Sequence, residues 1–582
     1  MKVSVVIPTF NRRELLSRTL PTILDQDFPA AEYEVVVVVD GSTDATAQFL
    51  QGVKTPVRLQ VIEQPNGGPA KARNTGIRAA RGELLLFLDD DIRCDPSLIG
   101  KHVAAHREGE DSVVFGPVLI APESPAGLAT DLARVWYEQY AARLTAAGKP
   151  RSQYDVWIYT NCSVPRSAVI AQDGYDENLR THEDADLGIR LWQAGVRFRF
   201  DPGAPVYQIY SKSVRDLVNG DAARFGASEI VMCRKHPGYR RYARLAAILD
   251  GSPARSVFAR LLCAAPQAWD PALRLPLWAV NRLRTIEPMR RAGLRLLNYR
   301  SGLMVLRSAV RELGSWELLR DRFVRRLPVL LYHHVGPPAR GVRSPWTVSP
   351  ASFAAQVSWL ARHGYVGIAS SDWAAWCLEG KPLPEKPVLI TLDDGYADIA
   401  EYALPVLRRH GFRATVYLVT ARIGAANTWD QARGLAPLSL MGADQIRYWA
   451  GQGIEFGAHS RTHPDLTTIG QARVREEIEG SADDLQQLLG RRPVSFAYPY
   501  GAYNEFVKNA AANSFTLAFG ARPGLNGLLS DLHLLSRTAV MPGDSRFNFG
   551  CRVFSGHAPL QLLRRLAPGG SHQFFHSNEY AW

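Results

Sequence analysis

Glu83-Leu84-Leu85-Leu86-Phe87-Leu88-Asp89-Asp90-Asp91 is an apolar run of strand length that ends in three carboxylates. A buried parallel strand reads as a continuous apolar run, and in open α/β sheets ligands sit beyond the carboxyl ends of the strands. The stretch therefore predicts a central strand that delivers Asp89 and Asp91 to a cleft. Two hard oxygen ligands in an Asp-x-Asp arrangement suit Mg²⁺ or Mn²⁺, which keeps waters and takes substrate phosphates as further ligands. A solvated loop that caps the helix after Pro96 is the plain alternative for the same residues.

Working outward, the neighbours of this run repeat its logic. Lys2 to Pro8 reads as a β-branched strand, and Thr9-Phe10-Asn11-Arg12 turns into a helix with Leu15, Leu16, Leu20 and Ile23 at helical spacing. Tyr33 to Val39 is a second buried strand ending in Asp40-Gly41-Ser42-Thr43-Asp44. A carboxylate and small residues there suit a nucleobase or ribose, whereas capping of the next helix is the expected role of Asp44. A third strand near Val57 to Glu63 precedes Asn66-Gly67-Gly68-Pro69-Ala70-Lys71-Ala72-Arg73-Asn74, a glycine turn into a helix whose N-terminus, with Lys71 or Arg73, can face phosphates. Further on, Glu183-Asp184 opens a helix whose Leu187 and Leu191 point inward, and the helix dipole alone would explain carboxylates at that end. Trp157 and Trp192 are expected as core aromatics in preference to sugar platforms.

Taken whole, the 582 residues exceed one core, and about three to four units are expected. The composition, 46% hydrophobic and 21% charged, is that of a soluble globular protein. Six scattered cysteines argue against a disulfide framework or a Cys-rich zinc site and fit a reducing compartment. The N-terminus lacks a signal-peptide apolar core, and no run of about 18 apolar residues predicts a membrane span. The expected location is cytoplasmic, with peripheral contact at the inner face of the membrane. A net charge of +12 fits anionic donors or acidic lipid; without a zinc-finger or RNA-binding motif, nucleic acid is not an expected partner.

A second pattern of the same kind starts at Leu327-Pro328-Val329-Leu330-Leu331-Tyr332-His333-His334. Ser349 to His363 reads as a helix, and Pro387-Val388-Leu389-Ile390-Thr391-Leu392 ends in Asp393-Asp394-Gly395. Ile454 to His459 is another strand end, and His459-Ser460-Arg461-Thr462-His463 spaces two imidazoles four apart. One turn of helix would aim both at a shared transition metal. His333 and His334 are expected to be structural.

The segments Val-Ile-Pro-Thr-Phe-Asn-Arg, Val-Val-Asp-Gly-Ser-Thr-Asp, Gly-Gly-Pro-Ala-x-Ala-Arg-Asn and Leu-Asp-Asp-Asp, in that order between Val3 and about Tyr207, resemble the family-2 inverting glycosyltransferases of the GT-A fold. The resemblance implies a Rossmann-like nucleotide-sugar domain in which Asp40 contacts the base. It implies that Pro8, Lys71, Arg73 and Asp90 line the donor pocket, and that Asp89 and Asp91 hold the donor diphosphate through Mn²⁺ or Mg²⁺. It also implies a general base at the acceptor face, Asp184 first and Glu183 second.

Thr-Leu-Asp-Asp-Gly, His-Ser-Arg-Thr-His and Phe-Ala-Tyr-Pro-Tyr-Gly, between Leu327 and Arg537, resemble the polysaccharide deacetylases of carbohydrate esterase family 4, the NodB-like group. This implies a distorted (β/α) barrel, Asp394, His459 and His463 as ligands of Zn²⁺ or a similar ion, and Asp393 as general base. Pro499 and Tyr500 would lie at the substrate, with the Tyr500 backbone N–H at the oxyanion. Ala497 stands where many members carry an arginine, and Arg537 is the expected replacement. The general acid has no clean match among His533, His557, His572 and His576.

The expected division is a transferase domain over 1–215, a helical basic connector over 216–326 and a deacetylase domain over 327–582. Within the connector, Ala254 to Leu262 and Leu273 to Leu283 read as helices with Arg255, Arg260, Arg274, Arg282 and Arg284 interleaved, and Arg290 to Arg326 continues the basic excess. Such a stretch either packs with its arginines outward or lies on anionic membrane. The expected function is bifunctional: transfer of a sugar from a nucleotide-sugar donor, UDP-N-acetylhexosamine above others, to a glycan or lipid-linked acceptor, and N-deacetylation of an acetamido sugar. A non-catalytic carbohydrate-binding second half and O-deacetylation are the alternatives.

Overall fold

The computed structural model describes residues 1–106, 110–150, 152–158, 160–179, 181–250, 266–337, 346–429, 431 and 437–559. The segment Ala254 to Leu262 with Arg255 and Arg260, and the candidates His572 and His576, lie outside the described residues. The chain forms two compact units, the first running from Met1 to Leu319 and the second beginning at Arg320.

In the first unit, β1 (Val3–Thr9), β2 (Tyr33–Asp40), β3 (Arg58–Gln64) and β4 (Leu84–Phe87) pair in parallel in the order β3-β2-β1-β4. All eight residues of β2 are buried, as its Val35–Val39 run requires of a strand covered on both faces. A short sheet strand, β5 (Ile92–Cys94), follows the carboxylates. The main sheet continues through β6 (Ser112–Phe115), while β7 (Val118–Ile120) joins β5. Next, β8 (Cys162–Pro165) enters antiparallel between β4 and β6, and β9 (Arg197–Phe200) closes the seven-stranded sheet beside β6. Finally β10 (Val206–Gln208) sits between β5 and β7 in the three-stranded sheet. The order reverses at β1, with β2 on one side and β4 on the other, so the ends of β1 and β4 open the crevice that doubly wound sheets use for ligands.

Helices Ala222–Lys235, Arg244–Leu249, Pro266–Arg282 and Glu287–Leu313 follow. The first and last of these pack closely because position 226 is glycine; a Cβ there would stand 1.9 Å from the Val305 carbonyl oxygen.

The second unit is built on a nine-stranded, largely parallel sheet. Its strands are β11 (Leu327–Tyr332), β14 (Val366–Ile368), β15 (Pro387–Leu392), β16 (Thr415–Leu418), β17 (Glu455–Ala458), β18 (Ser495–Ala497), β19 (Leu517–Phe519), β20 (Leu525–Asn526) and β21 (Thr538–Ala539). A separate pair, β12 (His334–Val335) and β13 (Thr347–Val348), lies outside it. Phe519 bridges Leu535, and the chain from Leu535 runs into β21, which pairs with β11. The sheet thus curls round on itself as a distorted (β/α) barrel. The outer helices carry ordinary helix signals: Ser349 caps Pro350–Arg362 through Oγ, which accepts from the Ser352 N–H at 3.2 Å.

Candidate active sites

In the first unit the sequence-derived residues gather at the ends of β1, β2 and β4 and at the start of helix Glu183–Gln193. Asp40 ends β2 and is spanned by the glycine turn: Oδ1 accepts from Gln64 Nε2 at 2.7 Å and Gly67 N at 2.9 Å, and Oδ2 from Gly68 N at 2.8 Å. Its carboxylate therefore fixes the loop that begins helix Pro69–Ala79. Asp44 accepts from the backbone N–H groups of Arg13 and Thr46, tying two helix starts. Pro8 lies within β1, and Lys71 is exposed with its stem over Gly67, apart from the carboxylates.

Arg73 is the hub. It is 5% exposed and donates from Nη2 to Asp89 Oδ1 and from Nη1 to Glu183 Oε1, both at 2.9 Å. Burial opposes its charge, but Asp89, Tyr175, Glu183 and Asp184 hold its pKa above the ordinary arginine value. A residue of the glycine-turn helix thus couples the strand-end carboxylate Asp89 to Glu183 at the start of helix Glu183–Gln193. Asp184, partly exposed beside Glu183, has its pKa pushed up to about 7, first by burial and then by the Glu183 charge. Asp186 lies elsewhere in function: fully buried, it bonds Arg190, Lys235 and His236 and joins its helix to Ala222–Lys235.

The sequence reading missed Arg12, although it quoted the motif that contains it. Its Nη1 lies 3.2 Å from Asp90 Oδ1 and 2.8 Å from Asp91 Oδ2. Asp90 also accepts from Thr9 Oγ1 at 2.8 Å, and burial pushes its pKa up to about 7 against the pull of Arg12. Asp91 is raised by burial and then by Asp89, and both its oxygens lie 3.2 Å from Gln208 Nε2. A buried carboxylate raised by a neighbouring one, as Asp91 is by Asp89, favours a cation, and the all-oxygen set of Asp89 and Asp91 fits Mg²⁺ or Mn²⁺. Arg12 also lines a cleft of about 560 Å³ with Lys212, Arg215 and Arg224. A π-helical turn, Asp216–Asp221, forms part of its wall. Trp157 packs with Trp136 and Tyr140 at ring separations of 5.4 and 4.9 Å, and Trp192 packs on Phe198.

The second unit brings Asp394, from the end of β15, to His459 and His463, beyond β17; their donor atoms lie within 4.8 Å of one another. His459 Nε2 and His463 Nε2 stand 3.5 and 3.4 Å from Asp394 Oδ1. Ligands ~2.0–2.1 Å from a tetrahedral zinc lie ~3.3 Å apart, so this nitrogen, nitrogen, oxygen set fits Zn²⁺ or a similar ion. The His459 Nδ1–H donates to the Ala497 carbonyl at 2.7 Å, which leaves Nε2 as the ligating atom. One expectation fails here: His459 to His463 is not a turn of helix. It is a loop in which Ser460 and His463 have φ of 60° and 65°, and Asp394 and Tyr500 share this left-handed region at 71° and 58°. Such strain persists where surroundings over-determine it. Buried Glu477 supplies part of that constraint, accepting from the N–H groups of Arg461 and Thr462, both at 2.8 Å.

Asp393 is buried beside the cluster, its Oδ2 3.9 Å from His459 Nε2. The structure puts the buried Arg537 against it, Nη1 donating to Asp393 Oδ1 at 2.7 Å. Burial alone would raise the Asp393 pKa, but Arg537, His459 and His333 hold it below the ordinary value. Pro499 is buried beyond β18, and Tyr500, 45% exposed, places its ring 4.6 Å from His463. Trp429 stacks on the same imidazole at 4.6 Å. His333 packs on Trp346 with the rings tilted by 41° and lies within the field of Asp393, Arg537 and His459; burial drives its pKa down to about 4. His533 is bonded through its ring to the Phe515 carbonyl, and the His557 backbone N–H donates to Ser555 Oγ.

Residues 4–151 match the family model Glycosyl transferase family 2, and residues 380–517 match Polysaccharide deacetylase. The chain therefore carries a family-2 glycosyltransferase region followed by a NodB-type polysaccharide deacetylase region. Among curated relatives, YxkH of Bacillus subtilis, which bears a polysaccharide deacetylase name, is 27% identical over 231 residues, 40% of this chain and 77% of the relative. TarS of Staphylococcus aureus, a poly(ribitol-phosphate) β-N-acetylglucosaminyltransferase, is 43% identical over 93 residues, only 16% of either chain. The solved deacetylase PplD of Streptococcus pyogenes, in complex with acetate, aligns over 42% of this chain and 99% of its own, with 22% identity and a TM-score of 0.34.

Proposed function

We propose that the chain is a bifunctional enzyme of polysaccharide or glycolipid synthesis. Its first unit would transfer a sugar, N-acetylhexosamine from a UDP donor above others, to a glycan or lipid-linked acceptor with inversion. Its second would remove an N-acetyl group from an acetamido sugar. The observation that carries the reading is the recurrence, in two separate units, of an apolar strand ending in carboxylates beside a second acid or base group.

In the transferase unit Asp89 and Asp91 would hold Mn²⁺ or Mg²⁺, which when bound neutralises the charge developing on the departing diphosphate. The cleft of Arg12, Lys212, Arg215 and Arg224, whose four cations outnumber the lining Asp216 and Asp221, supports a phosphate-bearing substrate. Asp184 takes the proton of the acceptor hydroxyl as its oxygen bonds the anomeric carbon and the bond to the diphosphate breaks on the opposite face. A base with a pKa near 7 is matched to that task. Arg73 holds Glu183 in place beside it.

In the deacetylase unit Asp394, His459 and His463 would hold Zn²⁺ or a similar ion, whose chemistry is polarisation of the acetyl carbonyl and acidification of water. Asp393 takes the proton of the attacking water, and Arg537 fixes its orientation. The Tyr500 N–H faces the oxyanion, and Pro499 shapes the floor. The Arg537 contact supports turnover over a binding-only role. We further propose a transferase domain, a helical connector and a deacetylase domain at 1–215, 216–326 and 327–582, and a cytoplasmic protein in peripheral contact with membrane; among the described residues no helix is long and apolar enough to cross one.

The test is thermal stability of the full chain with nucleotide sugars and Mn²⁺, with Asp91→Ala as control, since a ligand that binds the native state raises its stability. Selective stabilisation by UDP-N-acetylglucosamine, lost in the variant, is the expected result. Indifference to every nucleotide sugar would reject the transferase reading.

A further inference from the structure

Exposed large apolar side chains are concentrated in one corner of the first unit. Leu275 (70% exposed), Trp278 (57%), Leu283 (48%), Ile286 (51%) and Met289 (37%) fall between positions 275 and 289. They lie on the second half of helix Pro266–Arg282, on the turn after it and on the first turn of Glu287–Leu313. Burial on the other side of the helix is already satisfied: Leu277 is 4% exposed and packs with Leu128, Val218 and Leu297. The outward residues are therefore not needed for the core, and exposed apolar side chains clustered on a folded surface mark a contact site.

Charge narrows the choice of partner. Between positions 274 and 291 the sequence has Arg274, Arg282, Arg284, Arg290 and Arg291 against a single acid, Glu287, a net of +4. The Arg282 guanidinium lies 5.1 Å over the Trp278 ring, so cation and indole sit at one level. Tryptophan and leucine flanked by arginines are what an amphipathic segment presents to the boundary between headgroups and acyl chains.

We infer that this corner, centred on Leu275 and Trp278, docks the protein on an anionic lipid bilayer without spanning it. The inference deepens the membrane-contact part of the proposed function and rests on it, but moves the contact from the arginines of 290–326 to a specific apolar edge.

The test is co-sedimentation of the full chain with vesicles of phosphatidylcholine alone and with phosphatidylglycerol added. Wild type is expected on the anionic vesicles, roughly tenfold weaker on the neutral ones. Leu275→Ser with Trp278→Ser is expected to cut anionic-vesicle binding about tenfold. Arg290→Gln with Arg291→Gln is expected to reduce the preference for phosphatidylglycerol while retaining apolar insertion. Stabilisation by nucleotide sugar should be unchanged in both variants, so failure of the transferase reading and failure of docking are separable. No vesicle binding by wild type, or equal binding by the serine variant, would overturn the inference. So would wild-type self-association without lipid that the serine variant abolishes, because the corner would then be an interface between copies.

Discussion

Replacing Arg537 with methionine perturbs the second site at its most constrained point. The guanidinium is 1% exposed, donates to Asp393 Oδ1 at 2.7 Å and to the Gly520 carbonyl at 2.8 Å, and lies 5.7 Å over the Tyr417 ring. Methionine keeps much of the volume but leaves Asp393 as a buried, uncompensated charge. Breaking one half of such a pair costs about 3–5 kcal/mol, which for a unit of this size lowers the melting temperature by about 6–20 °C. Combining it with Asp393→Asn removes the stranded charge and should recover most of the loss. The pH dependence follows from the same balance. In wild type the Asp393 pKa is held down, so its stabilisation is present above the unfolded value and lost as pH falls through the folded one. Without Arg537 burial is less opposed and that pKa rises, so the variant has less of this stabilisation to lose on acidification. The gap in melting temperature between variant and wild type should therefore narrow on acidification from pH 7 toward about 4. Calorimetry on the four proteins of the cycle decides it. An Arg537→Met protein that melts within about 2 °C of wild type, or a double variant no better than the single, would refute the argument.

The first unit gives a pH test of its own. As a general base Asp184 works deprotonated, so transfer should fall about tenfold per unit below pH 7, and Glu183→Gln, which removes a charge that raises it, should move that limb to lower pH in a transfer assay. For stability, a pKa raised to about 7 means the group's contribution is full below its unfolded value and declines as pH rises toward 7; Asp184→Asn should flatten that slope in melting curves. Glu477→Ala leaves two backbone N–H groups of the histidine loop without their acceptor; affinity for Zn²⁺, read by competition with a chromophoric chelator, should fall about 10–100-fold, as for other supports of ligating residues. Chelation of the wild-type protein should lower its melting temperature, and Asp394→Asn should remove that response.

How much was legible in the sequence depends on distance along the chain. Strands that end in acids announce themselves, because a continuous apolar run and the charge that stops it are adjacent; Leu84–Phe87 with Asp89, and Pro387–Leu392 with Asp393, needed no tertiary information. The α/β architecture of both units followed from those runs and the helices between them. Loops were harder. His459 and His463 have helical spacing, yet left-handed φ at Ser460 and His463 brings them together, and nothing local distinguishes that loop from a helical turn. Partners far along the chain were hardest. Arg537 stands 144 residues from Asp393 and was suggested only by the missing arginine before Tyr498. Arg12 and Gln208 approach Asp91 from the ends of strands whose order no periodicity reveals, and Glu477 reads as one more acid on an exposed helix.

The most direct measurement follows sugar transfer and acetate release side by side in wild type, Asp91→Ala and Asp394→Asn. Two independent centres on one chain require that Asp91→Ala abolish transfer and spare deacetylation, and that Asp394→Asn do the reverse. Either single change abolishing both activities, or wild type lacking one of them on every acetamido substrate tried, would contradict the account.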